Sequence, residues 1–121
     1  VANILIVDDD LKMTELLKTL LQLEGYMPTA VNDSTKAIQA AVSVEPDLIT
    51  LDLMMPGLDG FGLCELLQQD PRFANIPIII ISARDDLESK QRAMKAGAKA
   101  YVTKPFQIDM LLQKIRNLIS V

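Results

Sequence analysis

Two stretches of the chain are apolar almost without interruption, "NILIV" at 3–7 and "IPIIIIS" at 76–82. A strand with one wet face alternates polar and apolar residues. A short run with no alternation reads as a strand covered on both sides. "DLITLDL" at 47–53 has the same character but carries one carboxylate, Asp52, near its end. "YMPTAV" at 26–31 is weaker, and its Pro28 suits an edge strand better than a central one. "AKAYVT" at 98–103 is the fifth strand. Between them the spacing changes to that of helices. The segment 11–25 sets Leu16, Leu17, Leu20 and Leu21 on helical spacing and ends at Gly25. Segment 34–45 stops before Pro46, and 61–69 follows a capping acid, Asp59. Segment 85–97 opens on Asp85 with Glu88 three residues on, a capping-box pattern, and ends at Gly97. Segment 107–119 is a last amphipathic helix. Strands alternating with helices over short connections predict an α/β fold, (βα)5, with a parallel sheet covered on both faces.

A chain of 121 residues is expected to form one domain over 1–121, whole or cut from a longer protein. Half of the residues are hydrophobic but only two Tyr and three Phe are present, so aliphatic side chains must fill the core. The net charge of −4 argues against direct nucleic-acid binding by this domain. No apolar run has the length of a membrane span and no basic leader precedes one. A single cysteine, Cys64, allows no internal disulfide, so the expected location is cytoplasmic. There is no histidine. Acid–base, ligand or nucleophilic chemistry therefore falls to carboxylates, lysines and hydroxyls.

Those groups collect at strand ends. Asp8, Asp9 and Asp10 follow the first strand, Asp52 closes the third, Ser82 the fourth and Lys104 the fifth. Ligands of open α/β sheets bind outside the carboxyl ends of the strands. If the first and third strands are neighbours, Asp8, Asp9 and Asp52 converge, and a hard cation such as Mg²⁺ relieves their repulsion. Asp10 is then the helix cap. A carboxylate at that mouth can attack a phosphoryl group, with Lys104 balancing the charge and Ser82 offering a hydroxyl. The chain has no Gly-x-Gly-x-x-Gly loop, Walker loop or nucleophile elbow.

"ILIVDDD", "PDLITLDLMMPGLDG", "IPIIIISA" and "GAKAYVTKPF" together resemble the receiver domains of bacterial two-component response regulators, in order and across essentially the whole chain. The resemblance implies a doubly wound, flavodoxin-like sheet in the order 2-1-3-4-5. It implies Asp52 as phosphoacceptor, and Asp8, Asp9, Asp52 and the Met54 carbonyl around Mg²⁺, with Mn²⁺ as a substitute. Lys104 would pair with Asp52 or the phosphoryl group, and the Lys104–Pro105 bond would be cis. Ser82 and Tyr101 would form a switch, with Met54, Ala83 and Arg84 shaping the access of water. The phosphoryl donor would be a histidine kinase or a histidine phosphotransfer protein. Output would run through the face of the fourth helix, fifth strand and fifth helix, where Arg84, Lys90, Arg92, Lys99 and Arg116 lie beside Asp85, Asp86 and Asp109, mixed charges that suit a reversible, phosphorylation-dependent homodimer. Slow self-dephosphorylation would accompany this role. Two other readings stand beside it: an aspartate-nucleophile phosphohydrolase, and a receiver-like module that binds its partner whatever its phosphorylation state.

Overall fold

The computed structural model describes residues 1–57 and 59–119. Its elements run β1 (Asn3–Val7), α1 (Leu11–Leu23), β2 (Met27–Val31), a 3-10 turn (Ser34–Lys36), α2 (Ala37–Val44), β3 (Leu48–Leu51), α3 (Gly60–Gln69), β4 (Ile78–Ser82), α4 (Leu87–Lys95), β5 (Ala100–Thr103) and α5 (Ile108–Leu118). All strand pairs are parallel and the sheet order is β2-β1-β3-β4-β5. β2 lies at an edge, where its Pro28 is tolerated.

The uninterrupted apolar runs have a direct cause. Successive strand side chains point to opposite faces, and both faces are dry. Ile4, Ile6, Leu48, Ile79, Ile81 and Val102 pack with Leu17 and Leu21 of α1 and Leu111, Leu112 and Ile115 of α5. Leu5, Val7, Ile49, Leu51, Ile78 and Ile80 pack on the other side with Ala37, Ala41, Leu63, Cys64, Leu67 and Ala93. The second layer uses alanines where α2 and α4 approach the sheet, while leucines carry the first. Of the leucines expected to line α1, Leu17 and Leu21 are buried, whereas Leu16 is half exposed.

Local chemistry corrects several boundaries. The predicted helix at 34–45 is split. Asp33 accepts hydrogen bonds from the Thr35 N–H and hydroxyl, which tightens the start into the 3-10 turn. Helix α4 is capped by Asp86, not Asp85. The buried Ser89 donates both its N–H and its hydroxyl to Asp86, at 2.9 Å each, which outcompetes the Asp85–Glu88 pattern. Asp85 turns instead to the Lys90 ammonium and the Thr103 hydroxyl. Asp10 and Asp59 cap α1 and α3 as expected, accepting from Lys12 and Met13 N–H and from Phe61 N–H respectively. β3 ends at Leu51, so Asp52 stands one residue past the strand. No helix among the described residues is long and apolar enough to cross a membrane.

Cys64 of α3 faces the core, with its thiol 3.6 Å from the Ala96 carbonyl. Burial pushes its pKa up to about 11, with a smaller contribution from Glu65. The thiolate is the reactive form, so the folded protein is expected to resist iodoacetamide at mildly alkaline pH and to be alkylated fully in denaturant. Equal labelling rates in both states, read by intact mass, would contradict this placement.

Candidate functional site

The hydrogen-bond ladder continues one residue past the strands, and that extension positions the chemistry. Asp8 N–H donates to Val31, Asp52 N–H to Val7 and Lys104 N–H to Ser82, at 3.1, 3.0 and 2.8 Å. Each of these residues is therefore held at its backbone by the neighbouring strand, with its side chain beyond the carboxyl edge of the sheet.

Lys104 closes the site. Its Nζ donates to Asp8 Oδ2 at 2.8 Å and to Asp52 Oδ2 at 3.1 Å. The remaining oxygens are held by the chain itself, Asp8 Oδ1 by the Asp10 N–H and Asp52 Oδ1 by the Met54 N–H. Asp8 and Asp52 are 3% and 7% exposed, so neither charge is freely hydrated. Burial is the largest influence on Asp8 and holds its pKa above the usual carboxylate range, although Lys104 and the Asp10 N–H pull it down. For Lys104 burial alone would lower the pKa. Its hydrogen bonds to the two carboxylates, and their charges, outweigh that and leave it above the ordinary lysine value.

Asp9 completes the cluster from the exposed side. One oxygen each of Asp8, Asp9 and Asp52 lies within 4.8 Å of the others. Three carboxylates and one ammonium leave a formal charge of −2 in a small volume. The donor set is all hard oxygen and one ligand faces water, which fits a small divalent cation that keeps part of its hydration shell.

The chain matches the family model described as "Response regulator receiver domain" over residues 4–116. It belongs to that family. It is 39% identical over 117 residues to the DNA-binding dual master transcriptional regulator RpaA of Synechocystis sp., covering 97% of this chain and 48% of that protein. It is 38% identical to the response regulator PleD of Caulobacter vibrioides, covering 97% of this chain and 26% of that one. The chain thus spans about half the length of the first relative and a quarter of the second. The solved signal receiver domain of a DNA-binding response regulator from Colwellia psychrerythraea superposes with a TM-score of 0.94 at 28% identity, with all of both chains covered. The five parallel strands in the order 2-1-3-4-5 are those of receiver structures, a flavodoxin-like fold. The chain is thus a receiver domain of a two-component response regulator, which supports a phosphoacceptor signalling role.

The other predicted positions divide. Ser82 is fully buried at the end of β4, and its Oγ accepts the Arg84 N–H at 3.2 Å. Tyr101 is half-buried and donates its phenol to the Arg84 carbonyl at 2.7 Å. Burial of the ring is the main reason its pKa is raised. Both residues therefore grip one peptide segment. Met54 lies beside Asp52 with an exposed side chain. Lys104–Pro105 is cis.

The cations expected on one face make different contacts. Lys90 pairs with Asp85 at 2.8 Å and lies 6.0 Å from the Tyr101 ring centre, and Arg84 leans to Asp86 at 3.6 Å. Arg92 instead stacks on Phe61 of α3 at 4.1 Å and reaches Asp59, because an aromatic face and a carboxylate sit together there. Arg116 points toward Glu24 at the end of α1. Lys99 precedes β5, at the opposite edge of the sheet from Thr103.

Three residues outside the sequence expectations shape the site. Asn32 and Ser34 hydrogen-bond to the acidic loops. Gly60 is pressed against the backbone after Asp52. A Cβ there would lie 2.5 Å from Leu53 Cα and 2.8 Å from the Asp52 carbonyl. A glycine at the first position of a helix carries too little pattern to reveal such contact. Gly62, one turn position on, has nothing within 4 Å of a built Cβ. Gly60→Ala is expected to cost about 1–3 kcal/mol by forcing the backbone apart and to shift the Asp52–Met54 amide resonances. Gly62→Ala is expected to gain about 0.5–1 kcal/mol from helix propensity. Urea unfolding that ranks the two variants in the opposite order would refute this contrast.

Proposed function

We propose that the chain is a phosphorylation-controlled switch whose Asp52 accepts a phosphoryl group from a phosphohistidine of a histidine kinase or a histidine phosphotransfer protein. The observation that carries this reading is the Lys104 ammonium shared by Asp8 and Asp52, with Asp9 beside them. The site has an oxygen nucleophile, a cation within reach of it and a cation-binding acid group at one opening.

In the transfer an Asp52 oxygen attacks phosphorus, an acyl phosphate P–O bond forms, and the donor's P–N bond breaks to release imidazole. Asp8, Asp9, Asp52 and the Met54 carbonyl would hold Mg²⁺, which when bound would supply positive charge that stabilises the transferring phosphoryl group. Lys104 follows the negative charge from the carboxylate to the phosphoryl group. Its flexible stem permits that small movement. The Ser82 hydroxyl would turn from the Arg84 N–H to a phosphoryl oxygen. Tyr101, tied to the same Arg84 segment, would then redistribute between outward and inward positions.

Output is proposed to pass through the face of α4, β5 and α5 to a second copy or another protein partner. Arg84 and Lys90 border Tyr101 and are the predicted cations best placed to sense it. Several relatives are named as DNA-binding regulators, and the chain spans only part of them. We assign the domain itself a cytoplasmic protein-contact role, with any DNA contact lying in other segments.

The test is incubation with acetyl phosphate, with and without Mg²⁺. One phosphoryl group per chain is expected by intact mass, and none after chelation or in Asp52→Asn. A Mg²⁺-independent adduct, or one undiminished in the variant, would sink the assignment. Sustained turnover of added phosphomonoesters would favour the hydrolase reading. Equal partner affinity before and after labelling, for a second copy and for other protein partners alike, would favour a constitutive binding module.

A further inference from the structure

We infer that Asn32 and Ser34 are positioning residues that set the gap between the two loops bearing the acidic cluster. The inference rests on reading Asp8, Asp9 and Asp52 as a divalent-cation site, and it concerns the segment after β2, to which that reading assigns no part.

Asn32 is half-buried, and its amide nitrogen donates twice, to the Asp8 carbonyl at 2.8 Å and to Thr14 Oγ1 at 3.1 Å. Thr14 is buried and its own hydroxyl proton goes to the Leu11 carbonyl, so it receives the Asn32 proton as an acceptor. Both partners demand a donor, which fixes the amide orientation. Asn32 thus fastens the Asp8–Asp10 turn and the first turn of α1 to the end of β2. Two residues later the buried Ser34 donates its hydroxyl to the Pro56 carbonyl, in the turn that follows Asp52. That turn is tightly seated: a Cβ at Gly57 would come within 3.3 Å of Ser34 Oγ and 3.6 Å of Thr35 Cγ2. The span between the two grips is stiffened by the Asp33 carboxylate, which accepts from both the N–H and the hydroxyl of Thr35, and by the Lys36 N–H on the Asp33 carbonyl.

The geometry is that of a brace. One end holds the loop of Asp8 and Asp9, the other holds the loop of Asp52, and a short rigid turn separates them. These are the loops whose carboxylates repel one another. Partners that orient metal ligands without touching the metal commonly change affinity by about 10–100-fold when removed. Loss of one such hydrogen bond, made here to a ligand's backbone, belongs at the low end of that range.

The test uses Mn²⁺ as the probe, its binding read from the loss of the free-ion electron paramagnetic resonance signal, alongside Mg²⁺ titration of acetyl phosphate labelling. Asn32→Ala is expected to weaken Mn²⁺ binding about tenfold and to raise the half-saturating Mg²⁺ by a similar factor. The labelling rate at saturating Mg²⁺ should approach that of the wild type. Ser34→Ala should shift both readings in the same direction. Variants that keep wild-type Mn²⁺ affinity and Mg²⁺ dependence, whatever happens to their melting temperature, would reduce the brace to a structural tie and overturn the inference. Should Asn32→Ala not fold, Asn32→Ser, which keeps one donor on a shorter arm, is read by the same two measurements. Absence of Mn²⁺ binding in the wild type would instead overturn the reading of the acidic site itself.

Discussion

The bridge from Lys104 to Asp8 and Asp52 is the constraint around which the strand ends are arranged. Two carboxylates with less than a tenth of their surface exposed cannot stand side by side unneutralised. The compensating ammonium arrives from β5, on the far side of β4 from Asp52. Three strands separated widely in sequence must therefore terminate at one level. The backbone bonds that extend each ladder by one residue enforce this. A shift of β5 by one residue would turn Lys104 to the other face and leave the acids without their cation. Strand register and site electrostatics are one requirement.

That requirement explains why so apolar a sheet ends in so polar a rim. The two dry faces supply the burial that holds the strands rigid: Ile4, Ile6, Ile79 and Ile81 on one side, Leu5, Leu51, Ile78 and Ile80 on the other. Asp10, Asp59 and Asp86 cap the helices that follow β1, β3 and β4. The acids of the site and the acids of the caps are neighbours in sequence but differ in use. Asp10 holds backbone N–H groups of α1, whereas Asp8 gives one oxygen to the Asp10 N–H and the other to Lys104.

The strands were legible because burial on both faces leaves an uninterrupted apolar run, a signal that needs no tertiary knowledge. The convergence of Asp8, Asp9, Asp52 and Lys104 was legible for a related reason: each lies one or two residues past the carboxyl end of a strand. Boundaries were less so. Asp85 and Asp86 both satisfy cap chemistry, and only the buried Ser89 decides between them. For Arg92 and Arg116 the sequence gives a helix position but not the partner beside it: Phe61 with Asp59 for the first, and Gln113 with Glu24 for the second. Asn32 and Ser34 were silent for a deeper reason. A polar residue in a loop has no periodicity, and its meaning lies wholly in which carbonyl it meets.

The Arg84 segment sets a quantitative limit on how a signal can leave the site. Ser82 accepts from its N–H and Tyr101 donates to its carbonyl, so under the proposed mechanism a hydroxyl drawn toward a phosphoryl oxygen releases one hydrogen bond beside the other. A single such bond is worth about 0.5–1.5 kcal/mol net, which changes a two-state ratio by roughly tenfold at most. Reversal of a population from about 1:99 to 99:1 needs about 5.5 kcal/mol. Release of Arg84 therefore transmits the change but cannot drive it. Under the proposed mechanism the remainder would come from the charge-assisted bond of the Ser82 hydroxyl to a phosphoryl oxygen and from the difference between the bonds that Lys104 keeps at Asp8 and Asp52 and those it would gain at the phosphoryl group. The lysine that holds the unphosphorylated acids together would then contribute only through that difference, which leaves the Ser82 hydroxyl as the group that gains a bond of a new kind.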